Sequence, residues 1–226
     1  MTDYDSCYRA MLGGMAGGVV PRWASGVLGE VAQNRTRVAG VRHPLGFVCL
    51  PVERTSEAGV CVHVWSDSFP RASPTTSVMH AHSWDLISYV LYGSVRNELI
   101  DITDAPDEAA YRVFEIRSDG DVDEVCETSR LVRCEIRAAE LNHQGDIYSL
   151  AAGIFHTTVV RGEAATVALG SSRPGLMDLS LGGIDRKTHR VRRQRCDRDE
   201  TAHAARVATE RLARTGTVDQ EDRWDT

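Results

Sequence analysis

The sequence predicts an all-β sandwich or barrel with helical extensions at both ends, and three observations carry that prediction. From His43 to about Leu181, apolar and polar residues alternate in short runs bounded by Gly, Pro, Asn, Asp and Ser, the pattern of half-buried strands rather than helices. About ten such runs follow one another without an intervening helical period, which favours a sandwich or barrel over a parallel βαβ sheet. The first 40 residues and those after Gly183 have a different, helix-leaning texture. A chain of 226 residues supports a substantial core, because a domain of this length buries roughly 70% of its unfolded surface.

Taken in order, Tyr4 to Met15 reads as a helix, glycines and Pro21 interrupt it, and Ala24 to Val31 reads as a second helix, so 1–42 is assigned to an N-terminal helical extension. The barrel is assigned to 43–184. Its candidate strands are Gly46 to Val52, Val60 to Trp65, Ser77 to His82, Ile87 to Leu91, Val95 to Ile102, Arg112 to Arg117, Leu131 to Ala138, Asp146 to Leu150, Phe155 to Arg161 and Ala165 to Leu169. Turn-rich pieces such as Ser68 to Pro74 and Ser118 to Asp123 separate them. Residues 185–226 are assigned to a basic connector and a C-terminal helix or tail. Arg186 to Arg195 carries six basic residues in ten. It reads as a solvated connector pairing with Asp197, Asp199 and Glu200, or as a patch for nucleic acid or an acidic partner. Beyond it Ala202, Ala205, Val207, Ala208 and Leu212 form a modest helical stripe.

Composition narrows the function classes. Hydrophobic content of 42% and charged content of 26% are those of a globular protein and argue against global disorder. With 26 basic residues against 32 acidic and a net charge of −6, no electrostatic reason for a nucleic-acid partner exists. The longest apolar and glycine run, Ala10 to Val20, has eleven residues, where a spanning helix needs about 20. Asp3 and Asp5 stand before it where a signal peptide carries positive charge. No membrane association and a cytoplasmic location are expected. The six cysteines, Cys7, Cys49, Cys61, Cys126, Cys134 and Cys196, form no C-x-x-C pair. Reduced, mostly buried thiols are therefore expected.

Two stretches carry chemistry. In Met79-His80-Ala81-His82-Ser83-Trp84-Asp85, strand geometry would place His80 and His82 side by side on one face, where neutral imidazoles can share a metal ion. The second stretch runs from Gly145 through Asp146, Ile147, Tyr148 and Ser149 to Gly153 and His156. It resembles the second conserved motif of the cupin superfamily, with Ala151 where that motif has proline. The first stretch resembles the first cupin motif, in which H-x-H is followed by Glu and, after six intervening residues, by Gly. Gly93 falls in register, while Leu86 occupies the glutamate position and the glycine before H-x-H is missing. The 51 residues between Gly93 and Gly145 imply a longer hairpin between the motifs than the minimal family spacing.

This resemblance covers roughly Gly46 to Leu181 and implies a cupin-type double-stranded β-helix, or jelly roll. It also implies one divalent metal held by His80, His82 and His156, with a ligand set similar to that of the thiol dioxygenases. Iron(II) is the metal expected first, with zinc, manganese and nickel as alternatives. Such a neutral set favours an anionic substrate or hydroxide as a further ligand, and an oxygenase acting with O₂ on a small polar, amino-acid-like or thiol metabolite is expected. A non-oxidative metallocupin using the ion as Lewis acid, and a non-catalytic ligand-binding or sensory cupin, are the alternatives; a homodimer is compatible with each. Asp85, one residue off the glutamate register, is a fourth-ligand candidate if a bulge turns it inward, and otherwise serves the turn.

Tyr148, Tyr92 and Tyr89 are candidates to orient substrate or donate a proton, against a role as barrel aromatics. Arg96, Arg54 and Arg71 are candidates to hold a substrate carboxylate. His63 and Trp65 share a strand face with Cys61 and are placed along the cavity, whereas His43, His143, His189 and His203 are assigned to loops or the tail, outside the site. No G-x-S-x-G, P-loop or G-x-G-x-x-G occurs, so serine-hydrolase, phosphoryl-transfer and dinucleotide chemistry have no support.

Overall fold

The computed structural model describes residues 2–70, 72 and 74–221, with side chains up to 214; Arg71 lies outside the described residues. In chain order the elements are α1 (Asp3–Leu12), α2 (Ala16–Ala32), β1 (Val41–Arg42), β2 (Val48–Arg54), β3 (Ala58–Trp65), β4 (His80–Ala81), β5 (Trp84–Tyr92), β6 (Ser94–Asp104), β7 (Tyr111–Asp119), β8 (Val122–His143), β9 (Ile147–Leu150), β10 (Phe155–Val159), β11 (Ala164–Ser172), β12 (Asp178–Gly182), β13 (His189–Arg192), β14 (Gln194–Arg195) and α3 (Arg198–Glu221).

Strand pairing defines the architecture. One sheet contains the order β3-β11-β5-β9 and the other β4-β10-β6-β8, all antiparallel. Successive strands β3 to β6 therefore alternate between the two sheets, and β8 to β11 alternate back. The fold is an all-β jelly roll. The first sheet is extended by β2, β1 and β14, the second by β12 and β7 beyond β4 and by β13 beyond β8. No described helix is long and apolar enough to cross a membrane.

The hairpin between the two motifs closes the second sheet on itself. The first half of β8 pairs with β7 and its second half with β6, Val132 facing both Tyr111 and Asp104. β7 continues through β12 to β4, so β8, β6, β10, β4, β12 and β7 form a ring. Each of the six strands contributes one buried residue to the apolar cluster of Val132, Ile100, Phe155, Ala81, Leu181 and Val113. β4 and β10 are thus packed on both faces. That double burial holds rigid the two short strands on which His80 and His156 stand.

The other sheet is covered on its outer face by the helices. Val60, Val62 and Val64 of β3 pack there with Val20, Ala24 and Leu28 of α2 and Ala204, Ala205 and Ala208 of α3. Alternation then sends Cys61, His63 and Trp65 to the barrel side. Pro21 does not interrupt the second helix as expected but lies inside α2. Buried Ala16, Val20, Ala24, Leu28 and Val31 recur at helical spacing along it, and burial of that stripe outweighs the lost backbone hydrogen bond.

The C-terminal region also differs from a solvated connector. Arg190, Arg193 and Arg195 pair with Glu124, Asp123 and Asp121 rather than with Asp197, Asp199 and Glu200, because β13 joins the edge of β8. Cys196 N–H donates to Gly40 O at 2.8 Å, and Gly40 N–H donates to Thr201 Oγ1 at 3.0 Å. The tail therefore completes both sheets and the helical layer.

Candidate metal centre

His80 and His156 are direct cross-strand partners on β4 and β10, with ring centroids 4.3 Å apart. His82, just past the end of β4, brings its ring to 4.7 Å from His80 and 5.1 Å from His156. One ligand atom from each ring lies within 4.8 Å of the other two, so small ring rotations bring all three to the about 2.0–2.2 Å at which imidazole nitrogens bind a divalent ion. The three predicted histidines converge.

Hydrogen bonding fixes which nitrogen of two of the rings is available to a metal. His80 Nδ1 lies 2.9 Å from Val78 O and His156 Nδ1 lies 3.0 Å from Ile154 O. A carbonyl only accepts, so each Nδ1 carries the proton and each Nε2 is left with its lone pair free for metal. Burial, followed by the neighbouring imidazoles, pushes the pKa of His80 and His82 well below the usual histidine value, and burial also lowers that of His156. The rings are therefore neutral at physiological pH, the state in which an imidazole can bind a metal.

Packing positions the third ring. The His82 ring stacks on Trp84 with centroids 4.1 Å apart and planes at 25°. Trp84 in turn lies over Gly170 of β11, where an added Cβ would come within 2.9 Å of the indole. His82 O accepts from Gly153 N at 2.8 Å, tying the first motif to the turn of the second. Gly153 adopts a φ of +79°, which favours glycine there. Gly93 has the same requirement at the β5–β6 turn, with a φ of +74° and only 2.2 Å between a notional Cβ and Glu163 O.

The candidate fourth ligand is elsewhere. Asp85 accepts from Ala152 N at 2.9 Å and pairs with Arg173, whose Nε lies 2.6 Å away. That ion pair, and then the Ala152 N–H, hold its carboxyl below the usual range. Asp85 is not among the clustered donors, since β5 alternation turns it away from the barrel while Leu86 faces inward and packs with Leu150 and Trp84. Asp85 serves the turn.

Two candidate catalytic side chains also point elsewhere. Arg96 lies on the outward face of β6, half exposed and bonded to Glu98, because alternation directs Val95, Asn97 and Leu99 inward. Tyr92 would face inward on a regular strand, but the pairing of β11 with β5 shifts register at Ala165/Thr166. It is packed with Tyr89 in the apolar layer under the helices. Arg54 is exposed on β2. Tyr148 does lie inside the barrel with Leu86 and Val90. It stands opposite Ser88, and its hydroxyl sits among Ser88, Asn97 and Thr166. Those three residues carry buried polar atoms with no other partner.

Two features escaped the sequence. His43, assigned to a loop away from the site, stacks on Phe47 at 4.3 Å and is close enough to depress the pKa of His80 and His82. Cys49 faces the barrel beside Cys61 and His63. A lone histidine before a turn and a cysteine in an apolar strand offered no spacing from which to read either position.

No protein-family model and no curated protein sequence matches the chain. Among solved structures it is similar to an RmlC-like cupin from Shewanella frigidimarina, at 10% identity over 62% of this chain and 87% of that one, with a TM-score of 0.35. It is also similar to hydroxypropylphosphonic acid epoxidase from S. wedmorenis, at 11% identity over 59% and 55% of the two chains and a TM-score of 0.34. A third is KdgF from Halomonas sp., at 13% identity over 57% and 82%, with a TM-score of 0.32. These likenesses are loose, and the fold assignment rests on the strand pairing described above.

Proposed function

We propose that the chain is a mononuclear metal-dependent enzyme of the cupin type, binding iron(II) through His80, His82 and His156 and acting with O₂ on a small polar, amino-acid-like or thiol metabolite. The observation that carries this reading is the pair of Nδ1–H bonds to Val78 O and Ile154 O, which leaves Nε2 lone pairs on adjacent, paired strands as ligands with no carboxylate among them. When bound there, the ion supplies a Lewis-acidic, redox-active centre whose remaining positions are free for substrate and O₂.

The chain's own residues divide the remaining work. Trp84 excludes water beside His82, and the neutral histidines leave an anionic substrate group as the charge-balancing partner. Deeper in the barrel, Tyr148 with Ser88, Asn97 and Thr166 forms a polar niche in apolar surroundings. Burial raises the Tyr148 pKa, so its hydroxyl remains protonated and donates a hydrogen bond to a substrate polar group. Oxygen-electrode measurements on iron-loaded protein with thiols and amino acids test the proposal. O₂ consumption that requires both added iron and substrate, and falls about 10-fold or more in Tyr148→Phe, is the expected result. Metal-dependent conversion of a substrate without O₂ uptake would replace it with a Lewis-acid reaction.

A further inference from the structure

A second group of ligand atoms stands inside the same barrel. Cys49 Sγ, Cys61 Sγ and a ring nitrogen of His63 lie within 4.8 Å of one another. Cys61 and His63 are two apart on β3, and Cys49 faces His63 across the β2–β3 ladder. Their strand neighbours Val48, Leu50, Val60, Val62 and Val64 all belong to the apolar layer under the helices, so alternation directs the two thiols and the imidazole together toward the interior. None of the six cysteines is in a disulfide.

The imidazole is held in place by aromatic packing. Phe47 packs against the His63 ring at 4.4 Å, and Trp65 meets it nearly edge-on, at 6.0 Å and 82°. A core position filled by cysteine for volume alone requires neither a second thiol nor an imidazole beside it. Two sulfurs and one nitrogen converging on a half-buried point can supply three corners of a tetrahedron. Thiolate bonds of about 2.3 Å and an imidazole bond of about 2.0 Å place such donors roughly 3.5–3.8 Å apart, so closing from the observed span takes side-chain rotation without movement of the strands.

We propose that Cys49, Cys61 and His63 form a second metal site, distinct from the histidine triad, which takes a thiophilic d¹⁰ cation, zinc(II) or copper(I), with its fourth position open to the barrel interior. The donor sets divide the metals, because soft thiolates select zinc and copper(I) whereas neutral imidazoles alone do not. Binding releases to solvent the proton that the Cys49–Cys61 pair still carries as both sulfurs bond to the metal as thiolates; no electron is transferred. The site does not depend on the function proposed for the triad.

Cobalt(II) titration of the reduced, metal-free full-length protein tests the assignment, because only a thiolate-bound cobalt gives an intense near-ultraviolet charge-transfer band. The expected result is one equivalent of that band in wild type and in His80→Ala, and its loss in Cys61→Ser and in Cys49→Ala variants that keep the wild-type circular dichroism. Zinc(II) in one arm, and copper(I) under anaerobic conditions in the other, should each bleach the band at one equivalent, the lower competing concentration identifying the preferred ion. Absence of the band from folded wild type, its survival in both cysteine variants, or its loss in His80→Ala would overturn the assignment. Recovery of a Cys49–Cys61 disulfide from protein kept in reductant would do so as well.

Discussion

At Leu86 an apolar side chain faces the barrel interior, at the sequence position where the motif it resembles carries a glutamate, and its neighbours Leu150 and Trp84 keep that position dry. Leu86→Glu would place a charged oxygen beside the ion. Metal content after dialysis should rise relative to wild type while turnover falls, because the new ligand fills a position that substrate or O₂ requires. Asp85→Ala supplies the comparison: its carboxylate is held by Ala152 and Arg173, so metal retention should change by less than the about 10-fold that removal of a supporting group produces. An emptied site in Asp85→Ala would contradict the assignment of Asp85 to the turn. His43 gives a pH-dependent counterpart. Burial, and then the charges of His63 and Arg193, push its pKa down to about 3, while in the unfolded chain it takes a proton near 6.5. As the pH falls below that value the unfolded state binds a proton that the folded state refuses, so stability is complete above about 6.5 and is lost toward acid. Urea midpoints at neutral pH and at about pH 4.5 should therefore differ less in His43→Phe than in wild type; equal slopes would remove His43 from the acid limb.

Between the two apolar clusters, β4 and β10 act as the element on which the site is mounted. Phe155 points into the ring cluster while its neighbour His156 points into the jelly roll, so the ring core supports the ligand strand from behind. Phe155→Ala should cost about 3–5 kcal/mol, the range for removing a buried phenylalanine, and should also weaken metal retention although Phe155 touches no ligand. Thermal unfolding together with metal analysis checks both; a destabilised protein with unchanged retention would separate the ring from the site. This ring was the least legible part of the fold. All ten strands read from alternation occur with shifted ends. In β8, however, only Leu131 to Ala138 of the 22-residue strand was recognisable, because most of its side chains are exposed and its polar run resembles a loop. The basic β13 was missed for a related reason: pairing with the edge of β8, rather than an apolar face, makes it a strand. β12 was missed because it is only five residues long, although Leu181 on it is buried in the ring cluster. His80 and His82 were legible from a strand period of two, whereas His156 was legible only through the resemblance of the stretch from Gly145 to His156 to a known family motif. Tyr92 and Arg96 were not, since the side that a residue faces after a bulge or turn depends on pairing register.

The whole molecule is one jelly roll with its second sheet closed into a ring and its first sheet roofed by three helices. Residues 189–212 belong to that construction through β13, β14 and the α3 contacts with the core, so they support the site without contributing a ligand to it. Metal that binds only the folded state stabilises the molecule as a unit, by roughly 2.7 kcal/mol at a hundredfold excess over Kd. That linkage is read at the histidines themselves by X-ray absorption at the iron edge of the iron(II)-loaded protein, recorded for wild type and for His156→Ala. The account predicts three imidazole nitrogens near 2.1 Å, no sulfur in the first shell, and loss of bound iron in the variant. Iron retained in His156→Ala, or a first shell dominated by sulfur, would contradict the assignment of the metal to His80, His82 and His156.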